Sequence, residues 1–334
     1  MTNPKYVLQA KDLTKQFASH QSIISRIRGE KSLVVPAVDG VSLGLREAET
    51  LGLVGESGCG KSTLGRTLVG LYRQTSGDIE LFGKKIEGAR TLEERRAVQM
   101  IFQDPFASLN PRISVGNMLS EILSFHNLVP KNRIEARSKE LLALVGLPSN
   151  SLNSYPRQFS GGQRQRIGIA RALALEPKIL IADEAVSALD VSVQASIVNL
   201  LLDLKRDLGL TMLFISHDIA VVRQISERVA VMYLGRIVED GTADQIFEAP
   251  SHPYTQLLLQ SVPKMTPGSA VFDAPPGELP SLTQSFVGCR FRSRCPVSIP
   301  ACAEIDPALE SVDASEHQEA KHSAACLLVG ANKY

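Results

Sequence analysis

The run GESGCGKS, Gly55–Ser62, has the spacing G-x-x-x-x-G-K-[ST], and that spacing suits the capture of phosphate. Glycines let the backbone curl so that successive N–H groups point inward, and a following helix adds a favourable dipole. Lys61 would carry positive charge to the β and γ phosphates of a nucleotide, while the Ser62 hydroxyl can ligate Mg²⁺. Gly55, Glu56, Ser57, Gly58, Cys59 and Gly60 form the loop and Thr63 follows it. Cys59 fills a variable position, where a small residue is valued for its backbone N–H. An acidic pair complements the loop: ILIADE is an apolar strand ending at Asp183, which puts a carboxylate at the carboxyl edge where ligands collect in parallel sheets. Asp183 would hold Mg²⁺, and Glu184 could polarise an attacking water as general base.

These residues need elements to hold them. TLGLV, KILIAD and TMLFIS read as short buried strands, separated by helical stretches as in a parallel sheet covered on both faces. The loop leads into a helix with Leu64, Leu68 and Val69 on one side. RVAVMYLGRIVEDG reads as a hairpin with strands flanking Gly235 and Arg236. A mainly helical region spans about 105–166; within it Ile134, Leu141, Leu142 and Val145 share a face, and Gly146 is the stop. After Ile246 the stretches APSHPYTQ, VPKMTPG and DAPPGELPSL are dense in Pro and Gly, which predicts an extended linker to a tail.

With 334 residues, 44% apolar and 21% charged, the composition is that of an ordinary globular protein. Lys and Arg number 36 against 35 Asp and Glu, so no basic field argues for nucleic acid. No secretory signal opens the sequence and no window is apolar enough to span a bilayer, so a soluble, cytosolic chain is expected. That setting disfavours structural disulfides.

Further motifs supply a resemblance. FSGGQRQR, Phe159–Arg166, looks like the signature motif of the ATP-binding subunits of ABC transporters, SALD, Ser187–Asp190, like their D-loop, Gln103 in IFQDP like the Q-loop, and His217 in ISHD like the switch histidine. From about Phe17 to Gly241 the chain therefore resembles that family. The resemblance implies an α/β fold, a P-loop NTPase ABC cassette with a RecA-like parallel-sheet core, an antiparallel β subdomain and a helical subdomain. It implies an ATPase domain at 1–248 and a C-terminal cysteine-bearing extension at 249–334. It also implies Glu184, His217 and Gln103 as catalytic groups, Ser62, Gln103 and Asp183 around Mg²⁺, and Phe17 stacked on adenine. Ser160, Gly161, Gly162 and Gln163 open a predicted helix, RQRIGIARALAL, and so form a second anion-binding N-terminus. One chain does not readily aim two such termini at one γ-phosphate, so a head-to-tail dimer is expected, with Asp190 and the signature of one subunit meeting ATP on a second, like or unlike, ATPase subunit. Two residues depart from the family pattern: Phe159 replaces the usual Leu, and Ala185 replaces the usual Pro after Glu184. Glu184 is retained, and an intact ATPase is expected.

QDPFASLNPRISVGNMLSEIL, DEAVSALDVSVQASIVNLL, MYLGRIVE and HPYTQLLL are similar to the peptide and nickel uptake group, and more closely to a dipeptide or oligopeptide importer subunit. The implied partners are two transmembrane permease subunits, met through Phe106, Ala107, Leu109 and Asn110, and through them an extracytoplasmic substrate-binding protein. The implied location is peripheral, on the cytoplasmic face of the membrane. Nickel, oligosaccharide or glutathione remain open as cargo. A soluble ABC ATPase acting on ribosomes or DNA fits less well, because the chain has a single set of motifs, a short interval between them and a neutral charge balance.

Cys289, Cys295, Cys302 and Cys326 follow the spacing C-x5-C-x6-C-x23-C, without the C-x2-C knuckles of common zinc sites. Spacing alone leaves metal binding and unligated thiols open, with His317 and His322 able to complete a zinc site. GCRFRSRCP and the later cysteines resemble the C-terminal extension of peptide transport ATPases, some of which bind a [4Fe–4S] cluster, and this implies such a cluster on the four cysteines. Arg290, Arg292 and Arg294 alternate near the first ligands and are expected to offset cluster charge or contact a partner. Bracing of a small tail is the expected role.

Overall fold

A computed structural model describes residues 6–18, 34–104, 108–260, 280, 286–312 and 322–329. In chain order its strands are β1 (Tyr6–Ala18), β2 (Val34–Arg46), β3 (Thr50–Val54), β4 (Ser76–Leu81), β5 (Lys84–Lys85), β6 (Val98–Ile101), β7 (Ile179–Asp183), β8 (Thr211–Ile215), β9 (Arg228–Tyr233), β10 (Arg236–Thr242), β11 (Glu310–Ser311) and β12 (Ser323–Ala324). Its α-helices are α1 (Lys61–Leu68), α2 (Leu92–Ala97), α3 (Val115–Phe125), α4 (Ile134–Leu144), α5 (Gly161–Leu173), α6 (Val191–Leu208), α7 (Ile219–Ile225), α8 (Ala243–Glu248) and α9 (Pro253–Gln260).

The three apolar runs become β3, β7 and β8, each buried at every position. They lie in a sheet of order β11-β12-β10-β9-β3-β8-β7-β6. Pairing is parallel between β6 and β7, β7 and β8, β8 and β3, and β3 and β9. Successive side chains of a strand face opposite ways, and two cores result. Leu51, Leu53, Ile179, Ile181, Leu213 and Ile215 pack toward α1 and an antiparallel sheet of order β2-β1-β4-β5. Leu180, Ala182, Met212 and Phe214 pack the other way, with Leu119, Leu123, Leu141, Leu142 and Ile167 of the helical region.

Local signals account for most helix ends. Gly146 takes a φ of 68° just past α4, as its reading as a stop requires. Ser160 caps α5 in a reciprocal box with Gln163, so the helix opens at Ser160–Gly162 as expected. Of the four residues expected at a membrane subunit, Phe106 and Ala107 lie outside the described residues. Leu109 is 3% exposed and belongs to the core, while Asn110 is exposed and accepts from the Arg112 N–H.

Two expectations need correction. Tyr233 pairs with Arg236, so the hairpin loop is Leu234–Gly235, not Gly235–Arg236. Both loop residues have positive φ, 42° and 85°, the geometry that matches strand twist in a two-residue turn. The extended linker is interrupted at once: Pro253 opens α9, where its fixed φ suits a first helical position. VPKMTPG and nearly all of DAPPGELPSL lie outside the described residues.

The tail rejoins the cassette. β12 pairs antiparallel with β10 through Glu239–Ala324 and Asp240–Ser323, and β11 pairs with β12. Glu239, wholly buried, accepts from the backbone of Ser251 and His252 and meets His322 Nε2 at 2.7 Å. Among the described residues no helix is long and apolar enough to cross a membrane.

Arg228 ties these parts at the base of the sheet. Its guanidinium reaches Glu49 Oε1 at 2.8 Å and both Asp240 oxygens at 3.1 Å, in a buried setting. Arg228→Met would strand these carboxylates, and removing one member of such a pair costs about 3 kcal/mol or more. Urea unfolding of the variant is expected to show a loss of that size; an unchanged midpoint would contradict it.

Candidate nucleotide site

The phosphate loop joins β3 to α1. Gly60 has a φ of 111°, and a Cβ there would lie 2.1 Å from the Ala37 carbonyl oxygen, so only glycine fits. Lys61 is 3% exposed, and its Nζ donates to the carbonyls of Gly55 at 2.7 Å and Glu56 at 2.9 Å. This holds the ammonium under the loop, with its charge aimed where phosphates would sit. Ser57 and Gly58 are exposed at the loop crest, and Thr63 is half-buried on α1. Cys59 has a larger part than its N–H: the side chain is in the core below the loop, and burial pushes its thiol up, the signature of an inert cysteine.

Register brings the acidic end together. Ile101 pairs with Ala182, and Asp183 with Ile215. Gln103, Glu184 and His217 each follow one of these strand ends within two residues. Gln103 Nε2 donates to Glu184 Oε2 at 2.8 Å, and His217 Nδ1 stands 3.4 Å from the same oxygen. Glu184 has a φ of 48°, an uncommon backbone for a non-glycine residue. Its N–H donates to Ile215 O at 2.9 Å, and its carbonyl accepts from Ser187 Oγ at 3.0 Å. These bonds hold the turn that a proline at Ala185 would otherwise restrain; Ala185 itself is buried.

Beside this trio, Ser62 Oγ donates to Asp183 Oδ1 at 2.7 Å. Asp183 is wholly buried and its Oδ2 has no hydrogen-bond partner; Arg66 Nη2 is 3.6 Å away. Burial pushes the Asp183 carboxyl above the usual carboxylate range. A buried acceptor without a donor is a position for a cation, and hydroxyl, carboxylate and amide oxygens from Ser62, Asp183 and Gln103 form the hard donor set that suits Mg²⁺.

The remaining expected residues lie elsewhere. Ser160 Oγ accepts from the Gln163 N–H at 3.3 Å, and a Cβ on Gly162 would come within 2.4 Å of Val193 Cγ1. Gly162 thus lets the signature approach α6, whose N-cap is Asp190. Among the described residues no hydrogen bond or ion pair joins Ser160–Gln163 to Gly55–Thr63. Phe159 packs in the core, so the exchange from Leu is absorbed there. Phe17 meets Tyr72 edge-on at 5.4 Å, with Lys15 Nζ 5.0 Å from its ring centroid. Neither Tyr72 nor Lys15 carries a sequence signal that sets it apart.

All five cysteines are free. Cys289, Cys295, Cys302 and Cys326 line one small cavity together with His252, Pro253 and Phe291. Burial pushes the thiols of Cys289, Cys295 and Cys326 up, and pushes His252 down to about 4. Among the described residues, no group of three or more His, Cys, Asp or Glu side chains is disposed to hold a metal ion. His322 is engaged by Glu239, and His317 lies outside the described residues. The arginines between the cysteines, expected to offset cluster charge or contact a partner, bond within the chain instead. Arg290 bonds Asp39, Arg292 bonds the Ala303 carbonyl, and Arg294 grips Glu56 in the phosphate loop. Charge pairing with distant acids claims two of the three.

Comparison with known proteins agrees with this geometry. Residues 38–187 match the family described as ABC transporter, and residues 238–302 match the oligopeptide/dipeptide transporter, C-terminal region. The oligopeptide transport ATP-binding protein OppF of Escherichia coli (strain K12) is 50% identical over 88% of this chain and 88% of its own length. The oligopeptide transport ATP-binding protein AppF of Bacillus subtilis (strain 168) is 46% identical over 98% of each. A solved dimer of the ATP-binding cassette MJ0796, bound to ADP and Pi, superposes with a TM-score of 0.61 at 28% identity, covering 71% of this chain and 98% of that one. The chain belongs to the ABC transporter ATP-binding family, in the group of oligopeptide transport ATP-binding proteins.

Proposed function

We propose that this chain is the ATP-hydrolysing subunit of an importer for dipeptides or oligopeptides. The observation that carries the reading is the meeting of Gln103 and His217 on one oxygen of Glu184, beside the Ser62–Asp183 pair. ATP is the substrate, its phosphates cradled by Gly55–Thr63 with Lys61 turning from the loop carbonyls to the β and γ phosphates. Phe17, against Tyr72, receives the adenine. Ser62, Asp183 and Gln103 would hold Mg²⁺, which when bound neutralises charge on the β and γ phosphates. Glu184 accepts the proton of the attacking water through Oε2, and the Gln103 and His217 contacts orient that oxygen.

Residues 1–248 act as the ATPase domain and 249–334 as the extension. Ser160, Gly161, Gly162, Gln163 and Asp190 serve ATP bound to a second ATPase subunit, which accounts for their distance in contacts from their own phosphate loop. ATP closes the pair because it binds the closed state better, and closure shifts the population of two membrane permeases that receive cargo from an extracytoplasmic binding protein. The subunit works peripherally at the cytoplasmic face. The oligopeptide named for the curated relatives supports the cargo.

For the tail we assign a [4Fe–4S] cluster to Cys289, Cys295, Cys302 and Cys326. Support comes from likeness to the oligopeptide/dipeptide transporter C-terminal region and from four thiols lining one cavity, a soft donor type that suits a cluster, although among the described residues the side chains as they stand are not disposed as a ligand set. Such a cluster would brace the segment by cross-linking it.

Glu184→Gln is expected to bind Mg–ATP normally yet slow hydrolysis by about 10²–10⁴-fold in the assembled transporter. Near-normal turnover in the variant would refute the assigned base. Anaerobic purification is expected to yield iron and sulfide in near-equal amounts with a broad visible absorbance lost in Cys302→Ser. Protein free of both elements would eliminate the cluster.

A further inference from the structure

Glu56 lies within the phosphate loop, yet its firmest partners come from the other end of the chain. Arg294 Nη1 donates to Glu56 Oε2 and Nη2 to Oε1, both at 2.9 Å, in a two-point pair. The Arg294 side chain is 6% exposed and lies over the Tyr233 ring at 5.9 Å. The Glu56 N–H donates to Tyr254 Oη at 2.9 Å. Tyr254 is wholly buried against Tyr233 and against Phe291, which stands between Cys289 and Cys295 in the same segment as Arg294. The Glu56 carbonyl accepts from Lys61 Nζ, the cation of the loop.

We propose that Arg294 and Tyr254 are positioning residues for the phosphate loop, so that the C-terminal region sets the affinity of the site for ATP through Glu56. The inference rests on the reading of Gly55–Thr63 as the ATP site. A carboxylate in a loop that must accept a triphosphate opposes binding unless its charge is cancelled. Arg294 cancels it, and the planar fork fixes the carboxylate in one orientation. Tyr254 fixes the peptide that carries it. Lys61 is bonded to the same peptide, so a shift of Glu56 is felt at the ammonium that meets the phosphates. The cysteine segment is therefore joined to the nucleotide site through Arg294, and α9 through Tyr254, and not only by the chain.

Equilibrium binding of Mg–ATP to the full-length chain, with KM and kcat measured in the assembled transporter, tests the proposal. Arg294→Met leaves the Glu56 charge bare and is expected to weaken ATP binding roughly tenfold, with KM rising more than kcat falls. Adding Glu56→Gln removes that charge, so the double variant is expected to regain most of the affinity that Arg294→Met loses. A purely structural role for Arg294 gives no such rescue. The deficit of Arg294→Met should also shrink as salt rises, because the repulsion is screened. Arg294→Lys keeps the charge without the fork and is expected to fall between, which preserves the test if the methionine variant misfolds. Wild-type affinity in both Arg294 variants, or a double variant no better than Arg294→Met, would overturn the proposal. Lys61→Ala separates the two readings: if it binds Mg–ATP like wild type, the ATP site itself is misassigned. If it loses ATP while both Arg294 variants bind normally, the coupling alone fails.

Discussion

The hydrogen-bond register of the five parallel strands β6, β7, β8, β3 and β9 is the constraint on which the rest depends. Inside the sheet each backbone group of β3, β7 and β8 has a neighbour to pair with, and both faces are covered by apolar side chains. Polar chemistry is then confined to the carboxyl edge, where the ladder ends and side chains can turn outward. Because Ile101, Ala182, Asp183 and Ile215 are in fixed register, the residues just beyond them meet without any long-range adjustment. A slip of one position would invert each strand and put Asp183 on the wrong footing.

Glu184 shows how that edge is finished. Its left-handed backbone is held by a bond back to β8 at Ile215 and by Ser187, and its side chain is held by Gln103 and His217. A strained residue persists only where its surroundings over-determine it. Four separate contacts do so here, which explains why alanine suffices at the next position. The neighbouring Asp183 carries the opposite tension, a carboxylate in full burial with one oxygen unanswered.

The sequence revealed what is local and periodic. The phosphate loop, the three buried strands, the stop at Gly146 and the cap at Ser160 all depend on neighbours within a few residues. The convergence of Gln103, Glu184 and His217 was legible through family likeness, since spacing alone does not place three strand ends side by side. What stayed hidden depends on distant packing. Arg294 is 238 residues from Glu56, and nothing in RFRSRC distinguishes an arginine that grips a loop from one on a solvated face. Cys59 looked like loop filler because its burial comes from strands of the sheet beneath. Pro253 was mistaken for linker because proline marks turns and helix starts alike. The hairpin loop was misplaced by one residue because Leu234, an unusual choice for positive φ, hides the turn.

The short strand β12 has a consequence beyond the cysteines beside it. It lies along the outer side of β10, which would otherwise end the central sheet with unsatisfied N–H and C=O groups. Open edges of this kind recruit strands from other molecules. The C-terminal segment thus covers this margin at Glu239 and Asp240. A version of the protein trimmed back to its ATPase portion would bare a sticky margin, and would tend to clump for reasons unrelated to nucleotide or cargo.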